Sequence, residues 1–372
     1  MQFIDLKRQY DKLEKEVNKR IQTVLNHQKF IMGPEIIELE EQLAKYTGRK
    51  YAFVCASGTD ALVIPLMAYE LKKTDAIFVP TFTFFASGES VVLAGGTPVF
   101  VDSGKDFNMD CQNLEQQIKK VIKEGKLTPR GIMTVDLFGQ ACDYDEIQRI
   151  AKKYQLFVIE DGAQSMGGEY KGKKTGSFGD VSATSFFPAK PLGCYGDGGA
   201  IFTDNEEMAQ KICSIRVHGQ GSDRYDNVRI GVNGRMDTLQ AAILLPKLEI
   251  LDKEIQARQN IAQVYMEELQ GIFEIPTIDP CKLSAWAQFT LLATDEIQRD
   301  KIVEKMKEHD VPIMVYYRVP LHMQTAFSSL GYCEEDFPQA MELSKRVFSV
   351  PMHPYLTKDE IIEICHQLKE IV

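Results

Sequence analysis

Residues 182–203 read SATSFFPAKPLGCYGDGGAIFT, and they place one lysine in an unusually rigid setting. Lys190 lies between Pro188 and Pro191, and Gly193, Gly196, Gly198 and Gly199 crowd the turn that follows. Prolines fix the local backbone, so the amine is positioned rather than merely solvated. Partial desolvation lowers a lysine's pKa and frees its amine as a nucleophile. The rival reading is a β-hairpin with a solvated lysine, which is how Lys173 and Lys174 in KGKKTGSFGD read. In LFVIEDGAQSMGG an apolar run delivers Asp161 at its end, with Gln164 three residues on in a turn of small residues. Open α/β sheets place ligands at the carboxyl ends of their strands. A carboxylate there could hydrogen-bond a protonated ring nitrogen, or it could cap the next helix. CASGTDAL, 55–62, reads as a strand, a turn and a helix that starts near Thr59. Free N–H groups at the positive end of that helix make an anion site, for phosphate above all. Gly58 permits close approach and the Thr59 hydroxyl adds a donor, although Ser57 or Thr59 could serve as a plain N-cap. Ser185 could turn its hydroxyl to the same anion.

A positioned lysine, a carboxylate for a ring nitrogen and a helix-end phosphate site together describe pyridoxal 5'-phosphate (PLP). The lysine forms the Schiff base, and the carboxylate keeps the pyridinium protonated as an electron sink. Phe84, in PTFTFFAS, is the natural ring to stack on the pyridine face.

The elements that must position these residues follow from hydrophobic periodicity. Leu13, Val17, Ile21 and Leu25 fall four apart, and the helical pattern resumes after Gly33-Pro34 over 36–43. Beyond it, apolar runs at 51–55, 76–79, 98–101, 132–137, 157–159, 182–187 and 200–202 alternate with helical stretches. Most lack polar alternation, which is how strands buried on both faces of a mainly parallel sheet read. The expected class is α/β, with helices on both sides of the sheet. From Thr238 to Leu269 one long helical stretch is expected, with a kink at Pro246. Strands over 288–293 and 311–317 and a helix over 358–368 should complete a smaller α+β domain. The chain of 372 residues exceeds the ~250–300 at which single cores stop growing. It therefore divides into a large domain, 1–249, and a small one, 250–372.

Composition excludes some alternatives. Apolar residues make up 44% and charged residues 26%, an ordinary globular mixture. The net charge of −10 disfavours nucleic acid as a partner. No apolar run approaches the ~20 residues of a membrane-spanning helix. The N-terminal residues lack the pattern of a signal peptide, and the eight cysteines are scattered singly with no zinc spacing. A cytoplasmic protein with reduced thiols and no metal site is expected.

The quoted motifs, with RVHGQG (216–221), RIGVNGRMDTLQAAILLPKLE (229–249) and VPMHPYL (350–356), resemble the DegT/DnrJ/EryC1/StrS aminotransferases over almost the whole sequence. Within the family the closer likeness is to the 3-aminotransferases for UDP-linked 2-acetamido-2-deoxy-3-keto-glucuronate. The resemblance implies a fold-type-I PLP enzyme with a seven-stranded sheet, acting on a nucleotide-linked keto sugar with glutamate as amino donor and 2-oxoglutarate as product. It implies Lys190 as Schiff-base lysine and proton shuttle, Asp161 on the ring nitrogen and Gln164 on the 3′-hydroxyl. Ser185, Gly58 and Thr59 would hold the phosphate, joined by Asn233 from the other subunit of a homodimer with shared sites. His218, Arg229, Arg235, Tyr316 and Tyr317 become candidates for the sugar or its diphosphate. Tyr316 stands where these enzymes commonly carry histidine and Arg318 where proline is usual, which leaves the hexose open. A dTDP-linked 3- or 4-keto-6-deoxy sugar or a keto-cyclitol shares every PLP residue. A PLP-binding regulatory protein would need an appended DNA-binding module, and none is visible.

Overall fold

The computed structural model describes residues 1–223 and 225–372. All seven apolar runs are strands of one sheet: β1 (Tyr51–Cys55), β2 (Asp75–Pro80), β3 (Thr97–Val101), β4 (Thr128–Val135), β5 (Phe157–Asp161) and, after the two-residue hairpin β6 (Glu169–Tyr170) and β7 (Lys173–Lys174), β8 (Val181–Ser185) and β9 (Gly199–Thr203). Their order is β1-β9-β8-β5-β4-β2-β3. The neighbours are parallel except at β9, which runs antiparallel to both β8 and β1. Later, β10 (Lys282–Leu283) joins the hairpin, and β11 (Phe289–Leu292) pairs with β12 (Val347–Val350).

Alternate strand residues enter different cores. Ile77, Val79, Met133 and Ile159 pack in one cluster with helices α3 (Gly58–Ala68) and α4 (Phe85–Leu93). Ala76, Phe78, Ile132 and Val158 pack in another, with Leu114 and Ile118 of α5 (Cys111–Glu124) and Ile147 and Ile150 of α6 (Tyr144–Tyr154). Both sheet faces are therefore covered, which is why the strands carry no polar alternation.

Helix α7 (Glu206–Ile215) packs against α3, while α1 (Leu6–His27) and α2 (Pro34–Thr47), numbered from the N-terminus, lie on α8 (Thr238–Leu269). Helix α8 runs unbroken for 32 residues across Pro246, so the expected kink does not interrupt it. Its first half buries Ala241, Leu244, Leu248 and Leu251 beside β1 and β9. Its second half buries Ile261, Tyr265 and Leu269 in a separate core with β11, β12, α9 (Glu296–Glu308) and α11 (Lys358–Ile371). Residues 249 and 250 lie inside this one helix. Between the two cores, Leu321, Phe327, Phe337 and Leu343, the last on α10 (Pro338–Arg346), pack back onto the core of the large sheet.

The helix expected near Thr59 begins at Gly58, with Ser57 as its N-cap. Two local expectations are corrected. The run 182–187 ends as a strand at Ser185, where the Phe187 N–H turns to the Ser185 hydroxyl at 3.2 Å. Residues 311–317 are no strand. Met314 makes a single bridge to Ser349, and Pro312 has no N–H to extend the ladder.

The long helix bears much of this packing, so Leu251→Ala should lower unfolding free energy by about 2–5 kcal/mol. Ile297→Ala, on an exposed turn of α9, should change it by less than ~0.5 kcal/mol. Urea denaturation of both variants reads the difference.

Candidate functional site

Strand register brings three chain ends to one edge of the sheet. Asp161 pairs with Ala183, Ser185 lies two residues further along β8, and both Ser185 and Cys55 pair with Gly199 of β9. The approach is too close for side chains. A Cβ on Gly199 would stand 2.4 Å from the Ser57 carbonyl oxygen, and one on Gly58 2.6 Å from Ser185 Cβ and 2.8 Å from its Oγ. The first turn of α3 therefore rests directly on Ser185. Ser57 Oγ accepts the Asp60 N–H at 3.0 Å. That leaves the Gly58 and Thr59 amides, which have no acceptor within the helix, together with the dipole's positive end.

Lys190 sits in a closed loop, in which its N–H donates to Phe187 O at 2.9 Å and the Cys194 N–H to Phe186 O at 2.8 Å. Burial lowers the pKa of its half-buried amine, and Asp161 opposes that shift. Burial raises the Asp161 carboxyl, against the Ala163 N–H at 3.2 Å, the Ser87 hydroxyl at 2.9 Å and the charge of Lys190. The two groups act on each other, yet Lys190 and Asp161 are not in ion-pair contact. Three residues beyond Asp161, Gln164 Nε2 donates to the Tyr317 hydroxyl at 3.2 Å, and Gln164 Oε1 accepts the Phe138 N–H at 2.7 Å. The Phe84 ring is 56% exposed at the start of α4, 6.3 Å from the Tyr317 ring. Tyr316 stands edge-on between Phe3 and Tyr317, its pKa raised by burial. Arg318 pairs with Asp300 at 3.3 Å.

Two supports were not singled out from sequence. Ser87 holds Asp161 from the first turn of α4; its signal was a hydroxyl three residues after Phe84 in PTFTFFAS. Asp136, fully buried, accepts from the Cys142 N–H, the Tyr144 hydroxyl and Ser165 Oγ at 2.8–2.9 Å. Through Ser165 it thereby ties down the turn after Asp161 that carries Gln164. Behind it, Glu160 accepts from the Gly176 and Phe178 amides at 2.6 and 2.7 Å. Burial raises both carboxyls; with Asp136 adding its charge, Glu160 is pushed up to about 8.

The remaining candidates lie outside this cluster. Exposed His218 donates its N–H to Val232 O. Exposed Arg229 lines a separate cavity of about 300 Å³ with Met67, Leu71, Lys211 and Ile230. Asn233 is exposed, and its Oδ1 accepts from Arg235 Nε and Nη2 at 3.1 and 2.7 Å. The next residue, Gly234, accepts the Ala56 N–H at 3.0 Å, so Asn233 sits near the strand end that leads into α3. A cavity of about 1240 Å³ between α6, the hairpin and residues 274–282 is lined by none of the candidates.

PLP fits the cluster on its own chemistry: an amine of lowered pKa and a buried carboxylate that act on each other, a glycine-lined helix start beside a hydroxyl, and an exposed aromatic residue. Fold and site together define a PLP-dependent aminotransferase of fold type I. Residues 11–369 match the DegT/DnrJ/EryC1/StrS aminotransferase family, and the chain belongs to it. It is 44% identical over 372 residues to UDP-2-acetamido-2-deoxy-3-oxo-D-glucuronate aminotransferase of Pseudomonas aeruginosa, covering 99% of each chain. The crystal structure of a DegT DnrJ EryC1 StrS aminotransferase from Brucella abortus superposes with a TM-score of 0.97 at 44% identity, covering 100% of this chain and 99% of that one. NtdA of Bacillus subtilis, solved with bound cofactor PMP, superposes with a TM-score of 0.88 at 29% identity over 99% of this chain and 83% of its own. The protein is a PLP-dependent sugar aminotransferase. Among the described residues no helix is long and apolar enough to cross a membrane.

The Glu160 carboxyl has a testable sign. Its folded pKa lies above the unfolded value, so the native state holds the extra proton and stability falls as pH rises from about 4.5 towards 8. Glu160→Gln should flatten that decline, as read by urea denaturation at pH 5.5 and 8.5.

Proposed function

We propose that this enzyme transfers an amino group from glutamate to a UDP-linked 2-acetamido-2-deoxy-3-keto hexose or hexuronate, as a cytoplasmic homodimer with shared sites, for surface polysaccharide or glycan synthesis. The observation that carries the chemistry is the strand register that sets Asp161, at the end of β5, beside the strand from which the Lys190 loop leaves, with the first turn of α3 resting on Ser185. The sugar is supported by the name of the P. aeruginosa relative.

When bound, PLP supplies the electron sink that makes a carbon–hydrogen bond acidic. Lys190 would anchor its reactive carbon and then, displaced by the donor, move a proton between that carbon and the carbon that gains or loses nitrogen. Burial suits the amine to both duties, because it raises the uncharged fraction. General acid–base transfer of this kind contributes roughly 10²–10⁴-fold. Asp161, steadied by Ser87 and the Ala163 amide, would keep the ring nitrogen protonated, and Gln164 would bind the 3′-hydroxyl. The Gly58 and Thr59 amides and the Ser185 hydroxyl would hold the phosphate while Phe84 stacks on the ring. Arg235 occupies the Asn233 carbonyl oxygen, so the amide N–H₂ would be the group that Asn233 offers to the phosphate of the other subunit. The exposure of His218 and Arg229 suits contacts made across the same interface. Tyr316 and Tyr317 would meet the sugar.

Tyr316 supports a second substrate reading, a dTDP-linked 3- or 4-keto-6-deoxy sugar. Turnover compared on UDP-, dTDP- and GDP-keto sugars decides between them. Lys190→Ala should abolish both the visible absorbance of the lysine-linked cofactor and turnover. Survival of either would contradict the assignment.

A further inference from the structure

Two side chains of α8 hold the glycine-rich turn that follows Lys190. Gln240 Oε1 accepts the Tyr195 N–H at 2.9 Å. Lys247 Nζ donates to the Gly193 carbonyl at 2.7 Å and stands 4.1 Å from the centre of the Tyr195 ring. The two residues are seven apart, close to two helical turns, so they share one face of α8. The turn lies directly on that face, since a Cβ on Gly196 would come within 3.0 Å of Gln240 Nε2. It is also tightly wound, since a Cβ on Gly193 would stand 2.4 Å from the Pro188 carbonyl oxygen. With Cys194 N–H closing on Phe186 O, residues 186–194 form a ring of chain that carries Lys190, and both anchors grip its closing end.

Lys247 is an expensive residue in that place. It is 1% exposed, and burying an ammonium costs several kcal/mol. Burial lowers its pKa to about 8, against the charges of Glu254 and Cys194. An apolar side chain of equal length would fill the space without that cost, but it could not hold the Gly193 carbonyl.

We propose that Lys247, together with Gln240, is a positioning residue for Lys190: by fixing the Gly193 carbonyl it sets the direction in which the Lys190 amine faces Asp161. This rests on Lys190 being the cofactor lysine. A wild-type protein with no lysine-linked absorbance would defeat that reading, whereas the loop measurement below needs no cofactor.

Lys247→Met keeps the bulk and removes the donor and the charge. In cofactor-free protein, hydrogen exchange at Lys190 and Cys194 should quicken by about tenfold, because both amides depend on the closed loop, while β8 and the rest of α8 keep their protection. In the PLP-loaded enzyme the pH midpoint of the visible band should shift by at least about 0.5 units. In the same enzyme kcat should fall roughly 10–100-fold, with KM within about threefold, as misplacement of a reacting group predicts. Unchanged exchange and an unchanged midpoint would overturn the proposal, as would protection lost equally throughout the fold. Should Lys247→Met not fold, Gln240→Leu at the other anchor decides by the same exchange and midpoint.

Discussion

Asp161 ends β5, and the loop that carries Lys190 leaves the neighbouring strand β8, so the fold of the large sheet sets how the two residues stand to each other. The carboxylate is fixed by β5 register and by the Ser87 hydroxyl. The amine is fixed by a loop leaving β8, the strand beside it. Because β8 and β5 are hydrogen-bonded neighbours, the ladder fixes where the loop that carries Lys190 departs relative to Asp161. The third corner is set by β9, whose Gly199 lies between Ser185 and Cys55. At Gly199 and Gly58 a single methyl group would push the helix start off the sheet.

Much of this was legible in the sequence, for physical reasons. Strands covered on both faces read as unbroken apolar runs, and all seven were visible as such. Proline and glycine around Lys190, and the small residues around Gln164, marked backbone geometry that few other residues allow. What stayed hidden depends on partners distant in sequence. Ser87 and Asp161 are 74 residues apart, and nothing local says that they meet. The stretch 311–317 is apolar enough for a strand, but the antiparallel ladder of β12 is with β11, and Pro312 cannot extend another. Residues 321–343 lie late in the sequence yet pack on the sheet of the first half, and this return brings Tyr317 to Gln164. Lys247 carries no signal of its own within the long helical stretch. Only the position of the Gly193 carbonyl makes it a buried donor.

One chain brings together the strand end at Asp161, the loop of Lys190 and the helix start at Gly58, and it leaves His218, Arg229 and Asn233 exposed. The proposed division of labour follows from this. Chemistry that must exclude water sits in the sheet edge of one subunit, while the charged groups proposed for the nucleotide sugar are offered to another. The negative overall charge is no obstacle, because helix-end amides and a few placed arginines create local positive potential independently of the total.

Whether Lys190 takes the cofactor is decided by borohydride reduction of the PLP-loaded enzyme followed by peptide mapping. A single phosphopyridoxyl group is expected on Lys190, lost when glutamate is added before reduction. A label on Lys247, Lys173 or Lys174, or a Lys190 label indifferent to glutamate, would contradict it.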